Sequence, residues 1–394
     1  MGANPVPPDV IAATIQAVHD CHGDLSLAAK SLGIPRSTLR DRLKMRPDIK
    51  ADAETDQDRW RRERMERDLR DLREENKRLS GLAHAGDTIK QLIHDCDRPV
   101  TPPKWLTPKY TPNLTGVPHL FLSDWHWDEV VDPRQMNGVN AYNRTIAVRR
   151  METCFAKATS LLFDSMHKPQ YDYCTVILGG DMLSGNIHEE LRETNDAPIA
   201  QSILHLLDHL VAGITMLYDR FGKLYLPCVV GNHGRFDKKP RAKHRAHDNF
   251  EYLLYHFLKK HFRTEPHIHF DIADGAFLPF QTYGTKYLLA HGDQAKGGSG
   301  IAGALSPLML MDHRTRKRAM ATDQPYHILL LGHWHQLMSV KGMRINGAGK
   351  GLDEWALGQG FDYELPAQDL WVTHPDHHIT AQWPIYLEKK DTRF

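Results

Sequence analysis

Five short polar segments, each directly after a run of strand-like apolar residues, constrain the fold of this chain more than any other feature. In order, they are Asp-Trp-His at 124–126, Gly-Asp at 180–181, Gly-Asn-His at 231–233, His-Gly-Asp at 291–293 and Gly-His-Trp-His at 332–335. Ligand sites of open α/β sheets gather at the carboxyl ends of strands. Five strands that end in Asp, His or Asn therefore predict an α/β fold whose polar side chains point into one crevice.

The residue types at these strand ends suit metal ions. Two divalent cations about 3.5–4 Å apart need a bridging carboxylate and a shell of nitrogen and oxygen donors. Asp124 and His126 are two residues apart, so both side chains can point the same way at a strand end, and His333 and His335 repeat this spacing. A single histidine carries little weight in a chain with 25 of them, but five segments of this kind favour a metal site over unrelated core polar groups.

The order and residue types of the five segments resemble the calcineurin-like metallophosphoesterase superfamily, in its DNA-repair-nuclease-like branch, over residues 120–340. The resemblance implies a metallophosphoesterase β-sandwich flanked by helices (α/β/β/α) within a catalytic domain at 118–394. It also implies two metal sites, one formed by Asp124, His126 and His335 and the other by Asn232, His291 and His333, with Asp181 bridging them. We expect two divalent cations, with Mn²⁺ preferred and Fe, Zn, Mg or Ni as alternatives.

The chemistry of such a site is phosphoester hydrolysis. A hydroxide that bridges two cations has its pKa lowered towards neutrality and attacks phosphorus in line. The resemblance gives His233 a catalytic role beside Asp181, near the leaving group, as a general acid or a donor to the phosphate oxygens. The family usually places Asp or Glu directly after this histidine, where this chain has Gly234, so the group that orients His233 stays open. Arg235 follows and could clamp a phosphate oxygen.

Two features bear on the substrate. The phosphoprotein phosphatases of the superfamily carry Asp-Arg-Gly after the second segment, whereas this chain has Asp181-Met182-Leu183, which disfavours that activity. Basic runs at 238–245 and 313–318 are expected in loops beside the crevice, where they would bind successive phosphates. Solvated surface is the alternative for either run. The predicted phosphate contacts are Arg235, His188, Lys238, Lys239, Arg241, Arg314 and Arg316.

Residues 1–50 predict a small helix-turn-helix domain. Helices are expected at 9–21, around 27–30 and at 37–44, with a turn at 33–35, and the segment 32–43 resembles the Fis-type helix-turn-helix. The resemblance implies DNA as a partner. Arg36, Ser37, Thr38 and Arg40 would face base edges, while Arg42 and Lys44 would contact phosphates. A generic three-helix interaction module is the alternative.

Residues 51–97 predict a charged helix. Met65, Leu69, Leu72, Asn76 and Leu79 recur at spacings of four, three, four and three, as in the apolar seam of a coiled coil with Asn at an a position. This pattern favours a homodimer through residues 60–80. A single helix that packs its leucines on the catalytic domain is the alternative. The proline-rich residues 98–117 then predict an extended linker.

Bulk composition excludes little. Lys and Arg number 50 against 49 Asp and Glu, so net charge points to no class of partner. The five cysteines form no Cys-X-X-Cys pair, which fits the reduced thiols of a cytosolic protein. Because neither a signal-peptide pattern nor a long apolar stretch is evident, we expect a soluble cytoplasmic protein, associated with the nucleoid when bound to DNA and without membrane contact.

Together these patterns predict a dinuclear-metal-dependent phosphodiesterase that acts on DNA, a nuclease targeted by its N-terminal helix-turn-helix. One alternative is a phosphoesterase of small molecules such as cyclic or linear nucleotides. Another is a DNA-binding regulator whose phosphoesterase domain senses a ligand.

Overall fold

The computed structural model of the chain describes residues 6–45, 64–74, 77, 106, 114–297 and 305–389. The chain divides into two units, Met1–Lys90 and Gln91–Phe394.

Three short helices form the first part of the N-terminal unit: α1 (Pro8–Asp20), α2 (Leu25–Ser31) and α3 (Arg36–Lys44). The Asp24 carboxylate caps α2 by accepting hydrogen bonds from the backbone N–H groups of Ser26 and Leu27, at 2.8 and 3.2 Å. Gly33 takes φ +63° where the chain turns from α2 into α3. Ala28, Ala29 and Leu39 form the small apolar core.

Most of the side chains predicted to contact DNA lie on the surface of this unit. Arg36, Ser37, Arg40 and Lys44 are exposed, and Thr38 and Arg42 are half-buried. Exposed basic side chains on the last helix are compatible with groove entry. DNA binding through these residues stays a prediction.

Residues 64–74 are helical. Met65, Leu69 and Leu72 expose 63, 45 and 67% of their surface within this chain. Asn76 and Leu79 of the predicted seam lie outside the described residues, as does most of the predicted linker at 98–117. Pairing of two such helices stays a prediction.

The second unit contains two sheets, of which the larger has six strands. In spatial order these are β11 (His378–Tyr386), β10 (Ala367–His374), β1 (Val117–Leu122), β2 (Cys174–Leu178), β3 (Leu224–Cys228) and β4 (Ile268–Ile272). Strands β1 to β4 are mutually parallel, and β10 runs antiparallel to both β1 and β11. The carboxyl ends of β1, β2 and β3 therefore meet at one edge.

The smaller sheet has five strands. They are β5 (Phe277–Thr282), β6 (Thr285–Ala290), β7 (Ile328–Leu331), β9 (Met343–Ile345) and β8 (Met338–Val340), in spatial order. Strands β6, β7 and β9 are parallel, while β5 and β8 pair with this block as antiparallel edges.

The two sheets pack face to face and helices cover their outer faces. The helices of this unit are α4 (Arg144–Phe163), α5 (Glu189–Thr194), α6 (Ile199–Phe221), α7 (Phe250–His261), α8 (Leu305–Ala321) and α9 (Glu354–Gly358). On β1, Phe121 enters the core between the sheets, whereas Leu120 and Leu122 pack with the core residues of α4, α6 and α7. On β7, Leu330 and Leu331 divide in the same way between the inner core and α8. The α/β/β/α class expected from the sequence is confirmed.

Helix α6 is a long apolar segment, contrary to the expectation that the chain contains none. By length and composition it could cross a membrane. In the folded chain, Leu206, Leu210, Ile214 and Leu217 of α6 are fully buried in the core beneath the larger sheet. A helix that covers a sheet needs such an apolar stripe, which accounts for its composition.

Candidate metal centre

The five predicted segments all begin within a few residues of a strand end. Those containing Asp124, Asp181 and Asn232 follow β1, β2 and β3 of the larger sheet. Those containing His291 and His333 follow β6 and β7 of the smaller sheet. Within each sheet these strands are parallel, so the structure gathers the seven predicted ligands at one end of the sandwich.

The side chains form overlapping groups of metal-ligating atoms. The groups are Asp124, His126 and His335; Asp181, His291 and His333; and His126, Asp181 and His233, with the ligand atoms of each group within 4.8 Å of one another. Oδ1 of Asn232 lies 3.2 Å from Nε2 of His291. Asp181 has neighbours from both halves of the site, which is the position that a bridging carboxylate requires.

The hydrogen bonding of His291 shows that the site fits a cation. Its Nδ1 lies 2.9 Å from the carbonyl oxygen of Gly179, so this nitrogen carries the hydrogen and a neutral ring presents the Nε2 lone pair. That lone pair faces Oδ2 of Asp181 at 2.9 Å, and this buried oxygen has no hydrogen-bond partner among the described residues. Two facing acceptors need a positive charge between them. Although burial disfavours a charged ring, the Asp181 carboxylate raises the pKa of His291 to about 10, which shows that this position favours a positive charge.

A buried chain of charged groups orients His126. Nδ1 of His126 lies 3.0 Å from Oε2 of Glu129, an ion-pair contact without the angles of a hydrogen bond, and the other carboxylate oxygen accepts a hydrogen bond from Nζ of Lys350 at 2.7 Å. Lys350 also pairs with Asp353. The arrangement leaves Nε2 of His126 directed at Nε2 of His335, 3.2 Å away, where one cation would serve both nitrogens. Burial, reinforced by the Lys350 charge, lowers the pKa of His126 to about 3 and keeps the ring neutral.

Backbone and side-chain donors fix the Asp124 carboxylate. The Ser123 hydroxyl donates to Oδ2 at 2.5 Å, and the backbone N–H of His333 lies 3.0 Å from both carboxylate oxygens. Asn346 in turn donates to the Ser123 oxygen at 2.9 Å. Oδ1 of Asp124 thereby lies 3.4 Å from Nε2 of His335, its partner in the first ligand group.

Glu251 of α7 ties together the loops that carry two ligands. Its buried carboxylate accepts hydrogen bonds from the backbone N–H groups of Met182 and Gly231, both at 2.7 Å, and of Leu183 at 3.3 Å. Burial, together with the nearby Asp181 charge, raises the pKa of Glu251 to about 7. The loops after β2 and β3 are therefore held by one side chain that has no metal role.

His233 is oriented by a carbonyl group rather than by a neighbouring acid. Its Nδ1 lies 2.9 Å from the carbonyl oxygen of Ser184, and its ring centroid is 4.4 Å from that of His126. A side chain at Gly234 would overlap Asn249 and Glu251, which explains why this chain has no carboxylate there. Burial lowers the pKa of His233 against the opposing attraction of the Asp181 carboxylate.

The backbone of the centre is strained. Five of the seven predicted ligands have left-handed φ values between +44° and +68°: Asp124, His126, Asp181, His333 and His335. Asp and His tolerate this region better than most residues, yet each such position costs about 1–3 kcal/mol. Glycines supply the remaining room, because a Cβ at Gly231 would overlap the Asp181 carboxylate and one at Gly332 would lie 2.5 Å from Oδ2 of Asp124. Strain concentrated at one site is typical of a functional centre.

The first basic run lies beside the second ligand group. A cleft adjoining Asn232 is lined by Arg235, Lys239, Arg241 and Arg245. The Arg235 guanidinium donates to the carbonyl oxygens of Asn232, Asp237 and Lys238 at 2.8–2.9 Å, so it secures its own loop. Other members are paired with carboxylates: Lys238 with Glu189, Arg241 with Asp237 and Arg245 with Asp293. On the far side of His233, the exposed His188 ring lies 5.8 Å away.

The second basic run does not lie in a loop. It belongs to α8, whose residues Leu308, Met311, Thr315 and Ala319 are buried at helical spacing. Arg316 donates to the carbonyl oxygens of Tyr326, His327 and Gly342, at the start of β7, whereas the metal histidines follow the end of that strand. Arg314 lines a separate cleft of about 290 Å³ with Gln294 and Lys296. The structure therefore does not bring Arg316 to the metal centre.

Comparison with known proteins gives weak structural similarities only. No protein-family model matches the chain, and no curated protein matches it. Among solved structures, Vps29 of Entamoeba histolytica complexed with Zn²⁺ is 12% identical, with a TM-score of 0.27, over 68% of this chain and 99% of that protein. Vps29 of Cryptosporidium parvum is also 12% identical, with a TM-score of 0.26, over 69% of this chain and 98% of its own. A predicted phosphoesterase of Streptococcus pneumoniae is 12% identical, with a TM-score of 0.24, over 68% and 97%. At these values the similar structures establish neither an activity nor a substrate for this chain.

Proposed function

We propose that this protein is a dinuclear-metal-dependent phosphodiesterase that cleaves DNA. The observation that carries the proposal is a set of overlapping ligand groups: the buried Asp181 belongs to one group with His291 and His333 and to another with His126 and His233, and His126 also belongs to the group with Asp124 and His335. The set of carboxylate, imidazole and amide donors suits Mn²⁺ and similar divalent ions. Asp124, His126 and His335 would hold one ion, and Asn232, His291 and His333 the other.

The chemistry divides between the ions and the protein. When bound, divalent cations would lower the pKa of a coordinated water molecule and polarise the phosphoryl oxygens. His233 contributes through Nε2, because its Nδ1 hydrogen is held by the Ser184 carbonyl. In this proposal, Nε2 would exchange a proton with the leaving oxygen. The chain Lys350–Glu129–His126 and the carboxylate of Glu251 keep the ligands positioned before substrate binds.

A polyanionic substrate is supported by the cleft that adjoins Asn232, where four Lys or Arg side chains stand against three aspartates. Lys239 and Arg241 line it, and each phosphate contact there would add salt-dependent, sequence-independent affinity. The exposed basic side chains of α3, among them Arg36 and Arg40, support delivery to DNA by the N-terminal unit.

A cleavage assay tests the proposal. Purified protein is incubated with linear duplex, nicked and single-stranded DNA at increasing Mn²⁺, beside Asp181→Asn and the control Asp323→Asn, which changes an aspartate on the α8–β7 turn. We expect metal-dependent cleavage by wild type and the control, and its loss in Asp181→Asn. Absence of cleavage by wild type, or equal cleavage by Asp181→Asn, would rule out this function.

A second candidate, hydrolysis of a small phosphoester, is favoured by one observation. Three side chains of the basic run, Lys238, Arg241 and Arg245, are already paired with carboxylates of the protein, which reduces the charge offered to a polymer. Saturable turnover of bis-p-nitrophenyl phosphate that competing DNA leaves unchanged would support it. Salt-dependent DNA binding without turnover of either substrate would instead support a ligand-sensing regulator.

A homodimer is proposed on the exposed apolar side chains of the helix at 64–74. Met65, Leu69 and Leu72 share the spacing of a coiled-coil seam and remain exposed in the single chain. Sedimentation equilibrium of wild type and Leu72→Glu tests this. A monomeric wild type, or a dimer that Leu72→Glu leaves intact, would exclude this seam as the interface.

A further inference from the structure

We propose that an aromatic rim beside the metal centre, formed by Trp355, Phe361 and Tyr363, stacks against an unpaired base of the nucleic acid substrate. The inference rests on the proposed function. It names the part of the substrate that would be recognised beside the first cation, the one held by Asp124, His126 and His335.

The rim presents large aromatic surface to solvent. Trp355, Phe361 and Tyr363 expose 65, 36 and 48% of their surface, and the rings of Trp355 and Phe361 lie 5.5 Å apart at 41°. Three large aromatic side chains exposed within nine residues form a local patch rather than scattered surface residues. Aromatic faces of this kind are the platforms on which proteins stack bases of single-stranded nucleic acid.

The segment that carries the rim is attached to the first ligand group at its beginning. The backbone N–H of Gly349 donates to the carbonyl oxygen of Asp124 at 2.9 Å. Lys350 bonds to Glu129, the carboxylate that orients His126. Asp353 pairs with Lys350 and caps α9, the helix that contains Trp355. Trp355 is therefore two residues from a side chain that is linked to a ligand of the first cation.

The segment returns to the same ligand group at its end. Both oxygens of the Glu364 carboxylate accept the backbone N–H of Leu337, at 2.8 and 3.0 Å. Leu337 is two residues beyond His335, and Glu364 directly follows Tyr363 of the rim. Both ends of the segment are therefore fixed to the loops that carry the first cation's ligands, and these links are the basis for locating the rim on that side of the metal centre.

The segment is negatively charged, which disfavours direct contacts to phosphates and leaves the uncharged base as the part of a nucleotide that the rim can contact. Residues 351–364 contain no Lys or Arg and carry four carboxylates, at Asp353, Glu354, Asp362 and Glu364. Three of these accept internal hydrogen bonds: Asp353 from Lys350 and Ala356, Glu354 from Asp132, and Glu364 from Leu337. Direct contacts to phosphates are disfavoured here, whereas the cleft beside Asn232, on the side of the second cation, offers four Lys or Arg side chains against three aspartates. An uncharged aromatic base suits the rim.

A base that stacks on the rim must be out of a duplex. The proposal therefore predicts preference for single strands, frayed ends or gaps over intact duplex. Base–aromatic stacking is worth about 1–3 kcal/mol per base, so loss of the principal ring is expected to weaken binding by about tenfold or more.

The experiment compares two oligomers with the same phosphates. Full-length protein with Mn²⁺ is assayed for cleavage of a single-stranded oligothymidylate and of an oligomer of equal length whose sugars all lack bases. The variants are Trp355→Ala, Trp355→Phe as the conservative replacement, and Met320→Ala as a control that truncates an exposed apolar side chain on α8. Trp355→Ala is expected to raise KM about tenfold for the oligothymidylate, with kcat and the KM of the abasic oligomer unchanged. Trp355→Phe should recover most of the loss, and Met320→Ala should match wild type.

Two failures are distinguishable. If wild type cleaves neither oligomer nor any other DNA, the proposed function is wrong, and base stacking at the rim is wrong with it. If wild type cleaves DNA and Trp355→Ala leaves both KM values unchanged, or raises both equally, the function stands and base stacking at the rim is wrong.

Discussion

The metal centre and the core between the two sheets each bury a histidine from the same stretch of chain. The two rings differ in the groups that surround them. His126 follows β1; its Nδ1 makes an ion-pair contact with Glu129 that is not a hydrogen bond, and its Nε2 faces His335 at 3.2 Å. His119 lies within β1, stacked on Trp371 at 5.1 Å and 11°, and neither ring nitrogen has a hydrogen-bond partner among the described residues. Burial lowers the pKa of each histidine to about 3.

The difference shows that burial and a lowered pKa do not identify a ligand. What separates the two regions is convergence: at the centre, several lone pairs point at one another, whereas His119 is surrounded by aromatic rings. The centre also holds left-handed backbone, for example at Asp124 and Asp181, that contributes nothing to packing. Substitutions at the centre should therefore change metal binding more than stability, and substitutions in the inter-sheet core should do the reverse.

The largest effect is expected from removing the shared charge of the centre. In Asp181→Asn, neither ligand group keeps its bridging carboxylate, so we expect fewer than two Mn²⁺ per chain and a loss of activity on the order of 10³-fold or more. Wild type should gain thermal stability on addition of Mn²⁺, because the ion binds only the folded chain, and this gain should disappear in the variant. Isothermal titration calorimetry and melting curves with and without Mn²⁺ measure both quantities. An undiminished rise in Tm would contradict the shared role of Asp181.

A smaller loss of metal affinity is expected from Glu129→Gln, which changes a residue that contacts a predicted ligand and not the ion itself. Glu129→Gln weakens the hold on Nδ1 of His126 and leaves Lys350 paired only with Asp353. Replacing such an orienting carboxylate lowers metal affinity by about 10–100-fold in comparable sites. Competition with a fluorescent chelator gives the affinity of the first site, with the exposed Glu152→Gln on α4 as the control. Equal affinities in the two variants would mean that Glu129 has no orienting role.

Glu251→Gln tests whether one buried side chain supports both metal binding and stability. Its two oxygens serve different backbone donors, Met182 on one and Gly231 on the other, and an amide leaves one donor facing an NH₂ group. An unsatisfied buried donor costs about 1–3 kcal/mol, so the melting temperature of the metal-free protein should fall. Because the same loops carry Asp181 and Asn232, Mn²⁺ affinity should fall with it, about tenfold. A change in only one of these measurements would show that Glu251 supports that property alone.

The local part of this organisation was predictable from the sequence, since it depends on neighbours. A polar residue directly after an apolar run, as at Asp181 after β2 or His333 after β7, marks a strand end wherever the strand lies in the fold. The resemblance supplied the sandwich, which the structure confirms. Residues 313–318 were expected in a loop because the basic side chains stood out; the buried residues at helical spacing, such as Met311 and Thr315, were the signal for α8 that was missed.

The supporting shell could not be predicted, because its partners are distant in sequence. Lys350 bonds to Glu129 across 221 positions, and Glu251 reaches Met182 across 69. Only Glu129, three residues after His126, had a local signal. The Ser184 carbonyl that orients His233 is a backbone group, so its role cannot be predicted from residue type.

The smallest effect at neutral pH, and the one that completes the comparison, is expected from His119→Phe. An unfolded His119 would bind a proton below about pH 6.5, whereas burial, reinforced by the Arg344 charge, lowers its folded pKa to about 3. The unfolded state therefore binds more protons between these values. The stability that the neutral ring contributes is complete above pH 6.5 and declines as the pH falls towards 3, at up to about 1.4 kcal/mol per pH unit.

Phenylalanine keeps the stacking with Trp371 and Tyr287 and removes the proton site. We expect a Tm similar to that of wild type at pH 7.5 and a shallower loss of stability in acid than in wild type. Urea unfolding at pH 7.5, 6, 5 and 4 measures this loss. His313→Gln, at an exposed histidine of α8, should retain the wild-type slope, and Mn²⁺ affinity at pH 7.5 should be unchanged in both variants. If His119→Phe instead weakened Mn²⁺ binding while keeping the wild-type acid slope, the core histidine would belong functionally to the centre, and the division between the two regions would fail.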